Sequence, residues 1–120
     1  MKPTLNEQVE SILKGTACDL VERYVAAERL SSDSYKEVFT IHKDQILTYV
    51  QSHYQLEDLV HTRPGTADGF YALLSADGYV TYEQERQLKA EETEFNNIEN
   101  VWRKFVDYLI TCSGTGLKFE

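Results

Sequence analysis

Cysteine is scarce in this chain. Cys18 and Cys112 are its two thiols, too few and too far apart for a disulfide framework or a CxxC metal or redox motif, and they are expected to stay reduced in the cytoplasm. Cationic side chains are also short: 12 Lys and Arg stand against 20 Asp and Glu, a net charge of −8 at pH 7. A surface of that sign repels a polyphosphate, so direct nucleic-acid binding is not expected. Long apolar runs are missing as well. The longest, Phe70-Tyr71-Ala72-Leu73-Leu74, falls far short of the roughly 20 residues that span a bilayer. Met1 to Glu7 carries no apolar stretch of the secretory type, so neither membrane insertion nor export is expected. No G-x-S-x-G elbow, Walker loop, H-E-x-x-H or dinucleotide glycine fingerprint occurs. We therefore expect no enzymatic activity and no cofactor.

What the chain does contain is enough apolar side chain for a core, 42% hydrophobic and 12% aromatic, which argues against wholesale disorder. At 120 residues one domain is the expectation, 1–120, because domains most often run to about 100–150 residues. Thr4 and Glu7 have capping-box spacing, so a helix is expected to start there. Leu5, Val9, Ile12, Leu13, Leu20, Val21 and Tyr24 continue it as an apolar stripe to about Ala27, with Gly15 as the place for a kink or a break. Ser34 and Glu37 repeat the capping spacing. A second helix is expected from there to about Tyr54, with Tyr35, Val38, Phe39, His42, Ile46, Tyr49, Val50 and His53 on one face. Arg63-Pro64-Gly65 ends any helix, and residues 62–69 read as the linker after a helical part, 1–61.

Beyond the linker the period changes from helical to alternating. Phe70 to Leu74 and Tyr79 to Arg86 flank Asp77-Gly78, a strong hairpin signal. After a polar turn at Gln87 to Ala90, Glu91 to Phe95 reads as a third antiparallel strand whose acids suit a sheet edge. Asn96 or Asn97 is placed to cap a last helix through Ile98, Val101, Trp102, Phe105, Val106, Leu109 and Ile110. The predicted fold is α+β, with amino-terminal helices and a carboxyl-terminal helix packed on a three-stranded antiparallel meander; the meander and its helix occupy 69–112, and 113–120 read as a loose tail.

The charge is unevenly spread. From Glu83 to Glu99 six acids face two bases, Arg86 and Lys89, so half of the chain's negative excess falls in this stretch, most of it on the second and third strands. Glu83 and Glu85 share a strand face, but an exposed strand offers no cleft to separate two carboxyl pKa values, so they read as surface charge rather than an acid/base pair. Tyr79 and Tyr82 beside such acids combine rigid contact area with a charged rim, a composition suited to protein binding. The candidate partner-binding residues are therefore Tyr79, Tyr82, Glu83, Glu85, Arg86, Glu91, Glu92 and Glu94. His53, Glu57 and His61 are a weaker metal candidate, since four-residue spacing would stack them on one helical face.

The segment Asp77-Gly78-Tyr79-Val80-Thr81-Tyr82-Glu83-Gln84-Glu85-Arg86-Gln87-Leu88-Lys89-Ala90-Glu91-Glu92-Thr93-Glu94-Phe95 and the amphipathic helix after it resemble small bacterial immunity proteins of polymorphic toxin and contact-dependent growth inhibition systems. The shared pattern is a tyrosine-rich V-x-Y strand ending in Glu85-Arg86, a turn followed by Lys89, then Glu92 and a strand closing on Phe95. Gln87 stands where those proteins carry glycine. The resemblance spans residues 69–110 and implies a cytoplasmic antitoxin that binds a cognate protein toxin, expected to be a basic nuclease domain, at its active site or an exosite. The alternative is a helical adaptor or regulatory module, whose apolar seam would bind a partner or a second copy of itself.

Overall fold

The computed structural model describes residues 2–25 and 30–120. Among them are six helices and one sheet: α1 (Leu5–Lys14), α2 (Ala17–Tyr24), α3 (Ser32–Val38), α4 (Lys43–His53), α5 (Leu56–Leu59), β1 (Gly69–Ser75), β2 (Gly78–Glu85), β3 (Leu88–Phe95) and α6 (Ile98–Cys112). The fold is α+β, with an antiparallel meander of order β1-β2-β3. The chain forms two compact units, one from residues 1–50 and 106–120, the other from 51–105.

In the first unit, α1 starts as its capping box requires: the Glu7 backbone N–H donates to Thr4 Oγ1 at 3.2 Å, and Glu7 Oε1 accepts from the Thr4 backbone N–H at 3.2 Å. Gly15 adopts φ 70° and closes the helix, so the apolar stripe breaks into two helices instead of bending. A side chain there would meet the steric penalty of the left-handed region, which glycine escapes. The helix end expected near Ala27 lies outside the described residues. Val9, Ile12, Leu20 and Val21 are buried as the stripe requires.

The single helix expected from Ser34 to Tyr54 is instead two. The capping box forms one turn earlier, between Ser31 and Ser34, and the chain leaves the helix at Phe39. The cause lies far away in sequence. Gln8 is buried, and its Oε1 accepts the backbone N–H groups of Thr40 and Ile41 at 2.9 and 3.3 Å. Those donors are thereby satisfied outside a helix, which removes the penalty for breaking one. His42 consequently does not lie on an apolar helix face; it is exposed just before α4, and its backbone N–H donates to Gln45 Oε1 at 2.7 Å.

The tail is docked, contrary to the loose segment expected for 113–120. Ser113 and Thr115 are buried and bonded to each other at 3.0 Å. Phe119 is 6% exposed and meets Phe39 edge-to-face at a centroid distance of 5.9 Å. The Lys43 backbone N–H donates to the Phe119 carbonyl, which continues that attachment. A large ring needs a partner surface when buried, and two aromatic rings supply it to each other.

In the second unit, β1 pairs with β2 in register from Gly69↔Gln84 to Ser75↔Gly78. Gly78 has φ 153°, and a Cβ on it would lie 2.2 Å from the Phe95 carbonyl oxygen. Only glycine allows that approach. The link from β2 to β3 is tighter than the Gln87–Ala90 turn expected: Glu85 pairs with Leu88, and Arg86 and Gln87 both take positive φ, 52° and 67°. Two-residue hairpins demand that geometry because it matches the strand twist. β3 thus begins three residues earlier than its acidic alternation suggests. A bulge follows where the register shifts opposite Tyr82, with Glu91 at φ 56°.

Alternation gives the sheet two unlike faces. Phe70 and Thr81 lie on the face toward α6, where the Phe70 and Phe105 rings are 5.5 Å apart. The Asn97 side chain caps that helix, accepting the Asn100 N–H at 3.0 Å. Tyr71 and Tyr82 lie on the other face, stacked at 4.8 Å and both nearly fully buried. The segment expected as a linker is tied to this face. Tyr71 Oη donates to the Ala67 carbonyl at 2.7 Å, and Gln84 Nε2 donates to those of Gly65 and Ala67 at 2.9 and 3.0 Å.

Candidate functional site

The acidic residues singled out from the sequence gather around β3, which lies at a sheet edge as expected. They do not form one face. Strand alternation and the bulge place Glu83 and Glu85 on the side of Phe70, and Glu92 and Glu94 on the side of Tyr82. The negative charge therefore wraps the edge rather than coating a plane.

Glu85, Glu91, Glu92 and Glu94 are exposed, whereas Glu83 is half-buried. Glu91 makes an ion pair with Lys104 at 3.7 Å. Glu85, Glu92 and Glu94 have no ion pair among the described residues, so their carboxylates remain available to an external cation. Arg86 is exposed in the turn, and its backbone N–H donates to Asp68 Oδ1 at 2.9 Å.

The two tyrosines part company. Tyr82, expected as a contact residue, is 2% exposed. Its ring packs on Tyr71, and Lys89 Nζ lies 4.6 Å from its centroid on a cation–π contact. Burial, and secondarily the charge of Glu92, push its phenol above the usual tyrosine range. It belongs to the core, and its ring offers a partner almost no surface. Tyr79 is half-buried and borders open space.

That open space is a groove of about 480 Å³ within the second unit. Leu56, Ala72, Leu74, Tyr79, Ile98 and Trp102 supply its apolar lining, and Gln55, Glu57 and Thr62 its polar part. Leu74 is 81% exposed and Ile98 41%, so apolar surface in the groove stands open to solvent. Periodicity had assigned Trp102 and Ile98 to a helix core face and Leu74 to a strand. The one sequence signal for the groove was the unbroken run Phe70 to Leu74, which holds more apolar side chains than one covered face requires.

The metal candidate dissolves on the backbone. His53 ends α4, Glu57 lies in the four-residue α5, and His61 forms an isolated bridge to Tyr71, its Nε2 3.0 Å from the Asp68 carbonyl. Four-residue spacing stacks side chains only along one continuous helix. Among the described residues no group of three or more His, Cys, Asp or Glu is placed to hold a metal ion.

No family model, no curated protein and no solved structure matches the chain. No described helix is long and apolar enough to cross a membrane.

Proposed function

We propose that the chain is an immunity protein, a cytoplasmic antitoxin that binds a basic toxin domain, a nuclease, one-to-one and blocks its active site or an adjacent exosite. The observation that carries this reading is the edge strand: Glu92 and Glu94 are exposed without ion pairs among the described residues, Glu85 joins them across the turn, and the whole chain carries −8. Carboxylates in that setting steer a basic partner and raise its association rate. The protein acts by occupying a surface, so no reaction is assigned to it. The exposed thiols of Cys18 and Cys112 are not joined in a disulfide, which agrees with a reducing compartment.

Co-expression with the product of the neighbouring gene, which this reading requires to be a toxin, tests it directly. Protection of growth is the expected result, and cells that die despite soluble expression of both proteins would refute it. Replacing Glu85, Glu92 and Glu94 together with Lys should slow association by on the order of tenfold or more, with the wild-type rate falling steeply as salt is added. The same triple variant should melt with little change, because exposed charges contribute little to stability.

A further inference from the structure

We infer that the groove between α5, the β1–β2 end of the sheet and the start of α6 receives a short segment of the partner, in which an aliphatic or aromatic side chain stands next to a Lys or Arg. This rests on the reading of the chain as a binder of a basic protein, and it names the place and chemistry of that contact.

Three features of the groove specify this occupant. Most of its lining is apolar, and Leu74 within that lining keeps 81% of its surface in water; an apolar side chain from outside would remove that exposure. Trp102 and Tyr79 present aromatic surface of the kind that anchors protein interfaces and attracts cations. The ionisable group in the lining is Glu57, and Asp77 stands exposed in the turn between Leu74 and Tyr79. Among the described residues, no Lys, Arg or His lines the groove. An apolar side chain flanked by a cation meets all three conditions, whereas an acidic flank would be repelled.

The single tryptophan of the chain is Trp102, so its emission reports on the groove without a label. A short synthetic peptide alternating Leu and Lys, titrated into the full chain, should give a saturable blue shift. Its Leu/Glu counterpart, and a Ser/Lys version that keeps the charge but lacks the apolar side chains, should not. Leu74→Glu should weaken the Leu/Lys peptide by at least about tenfold. That variant adds negative charge, so nonspecific electrostatic attraction would instead strengthen it. Glu57→Lys should weaken binding by about threefold or more. Circular dichroism identical to wild type accompanies both variants, since both positions are exposed.

Absence of a saturable shift overturns the inference, as does an equal response to the Leu/Glu or Ser/Lys peptide. An emission shift driven by protein concentration alone, together with a dimer in sedimentation, assigns the groove to a second copy and also overturns it. The growth assay separates the two readings. Wild-type protein that binds the peptide but fails to protect refutes the immunity reading and leaves the groove standing, while a Leu74→Glu variant that loses the peptide yet protects fully removes the groove from the contact.

Discussion

Gln87→Gly should stabilise the protein. Gln87 occupies the second position of a two-residue hairpin turn at φ 67°, its side chain is exposed, and it makes no hydrogen bond among the described residues. Holding a residue with a Cβ in the left-handed region costs about 1–2 kcal/mol. Glycine removes that cost but returns about 0.5–1 kcal/mol through the greater freedom of its unfolded chain. The balance is a gain of about 0.5–1 kcal/mol, a rise in melting temperature of about 2–5 °C for a protein of this size. Gln87→Val tests the same geometry from the other side, since a β-branched residue is least tolerant of positive φ, and it should lose about 1 kcal/mol. Thermal and urea unfolding followed by circular dichroism reads both. A Gly variant that melts at or below wild type, or a Val variant that matches it, would show that the turn does not hold residue 87 in the left-handed region.

Further outcomes follow from individual contacts. Gly78→Ala should destabilise by about 2–4 kcal/mol, because the added Cβ meets the backbone carbonyl of Phe95, which cannot rotate away; a melting point within error of wild type would contradict the close approach. Phe119→Ala should cost about 3 kcal/mol in urea unfolding if the tail is docked against Phe39, and near-zero loss would mean a slack tail. The Thr4 backbone N–H, and then the Tyr24 hydroxyl, hold the Glu7 carboxyl below its ordinary pKa of 4.5. A carboxyl whose pKa is lowered by folding stabilises the native state above the unfolded value and loses that contribution as pH falls through the folded one. The stability difference between wild type and Glu7→Gln should therefore be present at neutral pH and close below about pH 4.5, measured as melting temperature against pH.

Local signals were legible where the residues that decide a structure sit close together. The Thr4–Glu7 box, the change of period after Gly69 and the edge position of β3 needed only neighbouring residues. The break between α3 and α4 needed Gln8, some thirty residues earlier, so no window around Phe39 contained its cause. The bulge opposite Tyr82 likewise depends on pairing between strands, and it divided an acidic segment that alternation alone would have kept on one face. Tyr79 and Tyr82 look alike in sequence, three residues apart. An odd separation along a strand sends them to opposite faces, one lining a groove and the other sealed against Tyr71. Burial of Tyr82 could be read only after the faces were known.

The division of the chain carries a consequence for biosynthesis. Residues 51–105 form one unit from a continuous stretch, while the other joins 1–50 to 106–120. On the ribosome the continuous unit has all its residues available first, and the amino-terminal helices must wait for Phe119 before the Phe39 contact can close. That closure spans most of the chain, and contacts of such long range are slow to form. Until synthesis passes Val106, the buried surface of α1 to α4 lacks its final partners, so the waiting amino-terminal half, rather than the acidic sheet, is the segment that a chaperone would have to shield.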